Sequence, residues 1–196
     1  MSQSPPVAPA PMERPRRSRI ASGAKVLFIV LLLLAAVFLI GGLFILDGKY
    51  DVSRSITIKA SPEAIHEQVG DLRAWPKWLP FTKHDTSVVT KIEQPTGVGA
   101  KQTWTGKSGN GRLEFTTSSA ESGIEFDMVF DEKYASKGML KYKAAGAETE
   151  VTWRMQGQND DLVGKWFAAV TPYMIGPMFE EGVQDLKKLV EGGATK

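Results

Sequence analysis

Residues able to do chemistry are few in this chain. There are two histidines, His66 and His84, and no cysteine. His84 stands beside Asp85 at the opening of an alternating segment, close to a tryptophan-rich stretch. Imidazole and carboxylate side by side can hold and move a proton near neutral pH, so this pair is the better acid/base candidate. His66 lies amid Glu63, Glu67 and Gln68 on a helix that reads as surface, and solvation is its expected state. No thiolate is available as a metal ligand, the two histidines offer no ligand set at workable spacing, and no metal or cofactor is expected. Nucleophilic catalysis lacks both a Gly-x-Ser-x-Gly elbow and a cysteine. The glycines of GKSGNGR fit neither the Walker spacing nor the dinucleotide fingerprint and read as a hairpin turn.

Arg54 raises a different kind of chemistry. By parity it falls on the apolar side of a strand, between Val52 and Ile56, where a charge needs a partner or a route to solvent at the sheet edge. Facing inward, it could hold the anionic head of a lipid-like ligand. The competing reading has it reaching past the strand end toward membrane headgroups.

The largest chemical signal is apolar. Trp104, Phe115, Phe126, Met128, Phe130, Tyr142, Trp153, Met155, Phe167, Tyr173, Met174 and Met178 form an inward set rich in aromatic and thioether side chains, with Trp78 and Phe81 at its border. Such side chains adapt to irregular apolar partners. Singly each reads as core; as a set they fit the lining of a cavity that takes a hydrophobic small molecule or lipid.

These residues need elements to position them. Residues 50 to 59, YDVSRSITIK, alternate at period two, as a half-buried strand does. Ser61 and Pro62 then open a short helix, Ser61 as N-cap and Pro62 at the first helical position. DLRAWPKWLPF, residues 71 to 81, follows as a second short helix shaped by its prolines, with at least one tryptophan plugged into the sheet. Six further alternating segments follow: HDTSVVTKIE, AKQTWTGK, GRLEFTTSSA, GIEFDMVFDE, KGMLKYKAA and AETEVTWRMQ. Turns PTGVG, SGNG, ESG and AGA separate most of them, and together with the first strand they predict about seven antiparallel strands. Leu113, Phe115 and Thr117 share an inner face with Ile124, Phe126, Met128, Phe130, Leu140, Tyr142, Val151, Trp153 and Met155. Near the C-terminus, Phe179, Val183, Leu186 and Val190 recur at helical spacing up to Gly192 and Gly193. Pro172 and Pro177 predict a kink or a separate short helix before that stripe.

The remaining segments concern the membrane. Residues 26 to 46 are 21 positions without a charged or strongly polar side chain. As a helix they extend about 31 Å, the thickness of a bilayer's hydrocarbon core. A signal peptide normally has a shorter apolar run and a small-residue cleavage site, so an uncleaved transmembrane anchor is the reading adopted. Arg14, Arg16, Arg17, Arg19 and Lys25 precede it, against Lys49, Arg54 and Lys59 after it. That bias places the N-terminus in the cytoplasm and the C-terminal domain on the extracytoplasmic, periplasmic side of the inner membrane. Residues 1 to 25 hold five of the eleven prolines and predict a disordered Pro/Arg-rich tail. They carry net +4, leaving −2 for the rest, so the domain's charge does not suit nucleic acid or another polyanion.

Three stretches, VSRSITIKASPEAIHEQVGDL, DLRAWPKWLPF and MFEEGVQDLKKLVEGG, give residues 50 to 192 a resemblance to the START-like, or SRPBCC, superfamily, and within it to the polyketide cyclase/dehydrase type. The resemblance implies an α+β helix-grip fold like that of birch-pollen allergen, a curved antiparallel sheet wrapped on a long C-terminal helix. It also implies a cavity between them that often holds a hydrophobic ligand. The matching motifs are architectural and transfer no catalytic residue. The expected function is a membrane-anchored module that binds an apolar small molecule or lipid and is not an enzyme. A cyclase/dehydrase-type enzyme using His84, Asp85 or Tyr142 as acid/base groups is the alternative, and a structural or interaction module of the cell envelope is a third.

Overall fold

The computed structural model describes residues 17–193 of the chain. Most of the expected N-terminal tail, residues 1–16, lies outside them. The chain divides into two compact units between Gly41 and Gly42. The first is helix α1, Arg17–Ile40. It begins well before Val26, taking in the last nine residues, 17–25, of the segment expected to be a disordered tail. Once an apolar run nucleates a helix, extending it backward through Lys, Ala and Arg costs little. The helical stretch Gly23–Ile45 is long and apolar enough to cross a membrane, a property that anchors and signal sequences share.

A π-helical turn, Gly41–Ile45, starts at the last residue of the first unit and continues into the second. Strand β1, Lys49–Ile58, follows with the alternation read from its sequence. Helix α2 is Pro62–Val69, capped by the Ser61 hydroxyl, which accepts the Ala64 N–H at 3.4 Å. The tryptophan-rich stretch forms a 3-10 turn, Trp75–Lys77, and the chain then enters the one-turn helix α3, Phe81–His84. His84 therefore ends a helix instead of opening a strand. Asp85 terminates that helix by accepting the Ser87 N–H at 2.9 Å, which delays the strand.

Six strands complete the sheet: β2 (Val89–Gln94), β3 (Lys101–Thr105), β4 (Gly111–Ser119), β5 (Gly123–Phe130), β6 (Tyr134–Ala145) and β7 (Glu148–Gln158). Their order is β1-β7-β6-β5-β4-β3-β2, and each neighbouring pair is antiparallel. β5 stops at Phe130 and β6 starts at Tyr134, tighter than the sequence suggested. Asp131 and Glu132, at φ 47° and 56°, make the turn in the left-handed region without a glycine. A bulge between Phe115 and Thr117 corrects the inner face of β4: Thr117 is exposed, and Ser118 takes the inward position opposite Ile124.

Helix α4 runs from Leu162 to Gly193 without interruption, so no separate short helix forms before the amphipathic stripe. Pro172 and Pro177 each remove one donor, and packing along β1 and β7 offsets the loss. That packing is close because small residues face the sheet. A Cβ on Gly182 would stand 2.7 Å from the Trp153 ring and 3.2 Å from Pro80, so glycine is what lets the helix approach. The core lies between the sheet, α2, the tryptophan stretch and the second half of α4.

Candidate functional site

Strand registers arrange the inner face of the sheet in layers. At one end Trp104, Gly111, Phe130 and Tyr134 are successive cross-strand partners. Gly111 is small enough for the Trp104 ring to lie over it. Tyr134 stacks on Phe167 of α4, ring centroids 5.6 Å apart. A row of aromatic side chains thus joins β3 to the first half of α4, and Trp104, Phe130 and Tyr134 in it are half-buried. This is the mouth of the grip.

The next layer inward differs in character. It runs Gln102, Leu113, Met128, Ser136, Gly157, Tyr50, again by direct cross-strand pairing. Polar and small groups take most of its places. Gln102 and Ser136 are buried, and Ser136 Oγ faces the Tyr50 hydroxyl without forming a geometrically good hydrogen bond. Burial raises the Tyr50 pKa and outweighs the lowering by Ser136 beside it, so its phenol stays a neutral donor and acceptor. Leaving a buried hydroxyl wholly unpaired costs about 1–3 kcal/mol, and one as poorly paired as Ser136 marks a place suited to a further polar atom. A groove of about 860 Å³ crosses four of these six strands, β5, β6, β7 and β1, with Tyr50, Met128, Ser136 and Gly157 in its lining. Its lining also takes in Asp51, Asp127, Lys137 and Gln156, whose parity belongs to the opposite face, and no residue of α4.

Deeper layers are solid. Phe115, Phe126, Met155 and Val52 lie in one cross-strand row with Gly138, and all four are buried. Beyond it Trp153 stacks on Phe179 with centroids 3.8 Å apart and meets Trp78 edge-on at 5.6 Å. Trp75 packs against Trp78, Phe115 and Phe126. Both tryptophans of the DLRAWPKWLPF stretch are buried, with indole N–H groups donating to Val69 O at 2.9 Å and Gln68 O at 3.1 Å. The Trp153 Nε1 donor, by contrast, is buried without a partner among the described residues.

The set expected to line a cavity therefore divides. Trp78, Phe115, Phe126, Tyr142, Trp153 and Met155 belong to the packed core. Phe81, Trp104 and Met128 are partly buried against it. Phe130 and Met178 are half-buried, Phe167 and Met174 are exposed, and Tyr173 stands clear at 83% exposure. Arg54 lies on the inner face opposite Trp153, passes beneath Gly176 and meets Glu180 at 3.6 Å. It has the partner that its inward position requires.

The acid/base candidates are not brought together. His84 is exposed and pairs its Nε2 with Glu181 at 2.8 Å, beside a Lys83–Asp185 pair, so both tie α3 to α4. Asp85 accepts from the Ser87 hydroxyl and from the Ser87 and Ser108 backbone, which holds its carboxyl well below the usual range. A carboxylate so firmly ionised is a loop brace and a poor proton donor. Tyr142 is buried, its pKa pushed up by burial, and it faces His66. His66 is itself half-buried, not solvated as expected: Nδ1 lies 3.4 Å from the Tyr142 hydroxyl and Nε2 3.3 Å from Ser118 Oγ. Burial lowers its pKa, so the three groups form a neutral polar latch between α2 and the sheet. The β4 bulge that turns Ser118 inward leaves no mark in the alternation, which is why sequence reasoning missed it.

Residues 49–191 match the family described as polyketide cyclase / dehydrase and lipid transport. The chain belongs to this family. Solved structures agree on the fold. Protein CV1439 from Chromobacterium violaceum is 17% identical with a TM-score of 0.55, covering 72% of this chain and 98% of its own. TTHA0849 from Thermus thermophilus is 15% identical with a TM-score of 0.53, covering 74% of this chain and 99% of its own. DynU16, a protein of the dynemicin biosynthetic locus, is 14% identical with a TM-score of 0.55, covering 73% of this chain and 48% of its own. No curated protein matches the chain. At these identities family membership carries the fold, consistent with binding a hydrophobic ligand, and leaves the chemistry to the chain's own residues.

Proposed function

We propose that this chain is a membrane-anchored module that binds an amphiphilic lipid or similar apolar small molecule at the mouth of its helix grip, without catalysing a reaction. The observation that supports it is the second layer, where Gln102, Ser136 and the Tyr50 hydroxyl bring polar groups in front of the rings found deeper, behind the half-buried row of Trp104, Phe130 and Tyr134. An apolar site with a few convergent polar groups is the usual form of a small-molecule pocket. The polar end of the ligand meets Ser136 Oγ, and its chain lies along Met128, Phe130 and Phe167.

The full chain in nanodiscs doped with a diazirine-bearing fatty acid and a diazirine phospholipid tests this reading. Crosslinks after irradiation are expected at Trp104, Met128 or Phe130 as well as in the apolar helix. Crosslinks confined to residues 26–46 would overturn it. Ser136→Val separates uptake from folding: it removes a poorly paired buried hydroxyl beside Tyr50 and is expected to change stability by less than about 1 kcal/mol while lowering crosslinking in the domain.

A further inference from the structure

Helix α4 changes composition along its length. From Leu162 to Phe179 its one charged residue is Lys165, whereas from Glu180 onward charges occur in every turn. The second half matches its surroundings, apolar toward the sheet and charged away from it. The first half does not. Val163, Phe167, Val170 and Met174 recur at steps of four, three and four, so they form one stripe along the helix, about 16 Å long at 1.5 Å per residue. This stripe lies beside the sheet-facing positions Gly164, Ala168, Thr171 and Ile175. Its members are 59%, 38%, 43% and 56% exposed, and Tyr173 flanks them at 83%.

The end of the apolar helical stretch meets this helix at its first turn. Leu162 sits directly against the backbone of Gly42, and Trp166 lies 3.1 Å from where a Gly42 Cβ would be. Leu43, Phe44 and Ile45 are exposed beside this contact in sequence, and Lys165 packs its stem against Gly48 just before β1. Where the chain leaves the apolar run, an exposed apolar helix face therefore begins, with a lysine beside it and no acidic residue for eighteen positions.

We infer that the first half of α4 is an interfacial helix, its Val163–Phe167–Val170–Met174 stripe resting in the surface of the same bilayer that holds the apolar N-terminal helix. This rests on the anchored reading given above and adds to it where the domain touches lipid. A helix that exposes an apolar stripe gains by burying it in the headgroup and acyl boundary, and a basic residue at its border adds attraction to anionic lipid. Lys165 faces lipid phosphates, and Tyr173 takes the level where an aromatic ring with a polar tip is favoured. Because Phe167 also stacks on Tyr134, the arrangement opens the mouth onto the bilayer, so a lipid passes from membrane to grip without crossing water.

The absence of cysteine makes the test direct. Leu33→Cys, Val170→Cys, Met174→Cys and Gln184→Cys, each in the full chain, are spin-labelled and reconstituted into vesicles of phosphatidylcholine and phosphatidylglycerol. Power saturation with oxygen and a water-soluble nickel chelate then reports lipid or water contact. The oxygen-to-chelate ratio is expected to be several-fold higher at residues 170 and 174 than at 184, and comparable in sense to residue 33. A chelate-accessible label at 33 means that the anchor itself is absent and the inference falls with it. A lipid-exposed label at 33 with 170 and 174 as wet as 184 leaves the anchor standing and overturns the interfacial helix. Strong dipolar broadening at 170 identifies a second copy as the cover of the stripe, and also overturns it.

Discussion

His66 has Glu63, Glu67 and Gln68 as sequence neighbours and Tyr142 and Ser118 as spatial ones. Its pKa is lowered by burial, so the unfolded chain takes up a proton at this site at higher pH than the folded one. The contribution to stability is therefore whole above the unfolded value near 6.5 and is lost as pH falls from there toward the lower folded value. Thermal melts at pH 7.5 and 5.5 should show a larger drop for the natural chain than for His66→Gln. Equal drops would mean that the ring is solvated after all. Trp78 was legible from its neighbours, since two tryptophans between prolines after a short helix suggest a corner, and it is fully buried. Trp78→Ala should cost about 3–5 kcal/mol by chemical denaturation, with ligand uptake altered only through the fraction left folded. The latch was not legible: it needs Ser118 inside, and period-two alternation points to Thr117 until a bulge inserts one residue.

Elements were easier to read than their junctions. Ser61-Pro62 marked a helix start, and Val52, Ile56 and Ile58 marked a face, because caps and alternation are local. The β5–β6 connection escaped because it uses Asp131 and Glu132, not a glycine pair, at positive φ. Left-handed backbone at a residue with a side chain is strained, so Glu132→Gly should stabilise the hairpin by about 0.5–1 kcal/mol. Asp131 is the wrong choice for that substitution, as its carboxylate accepts the Asn110 N–H at 2.8 Å. Helix α4 escaped in the opposite sense: two prolines predicted a kink or a separate short helix, and no separate helix forms, because the closeness to β1 and β7 that Gly176 and Gly182 permit holds the helix through both. Tertiary packing overrode a local signal there.

At the scale of the whole molecule, the helix-grip architecture followed from the order of elements, while the layered interior did not. Composition suggested a soft cavity along the full inner face, yet rings fill much of the distal layers, whose polar groups, Arg54 and the His66–Tyr142–Ser118 latch, already face partners. Alternation tells which side a residue faces and nothing about how much space remains beside it. Anchoring and orientation make a further prediction: a reporter active only outside the cytoplasm, fused after Lys196, should be active. Activity of a cytoplasm-specific reporter at the same site would reverse the proposed topology.

The tryptophan cluster has an optical consequence. Trp75, Trp78 and Trp153 stand 5.7 and 5.6 Å apart in sequence of contact, with Phe179 stacked on the last. Chromophores so close and held at fixed tilts share their excited states, so the folded domain should show a strong split band in near-ultraviolet circular dichroism. An amphiphile that stays in the outer layers would leave that band unchanged. One whose tail wedged past Met155 would have to part the rings and collapse it, so the domain carries its own gauge of how deeply a guest penetrates.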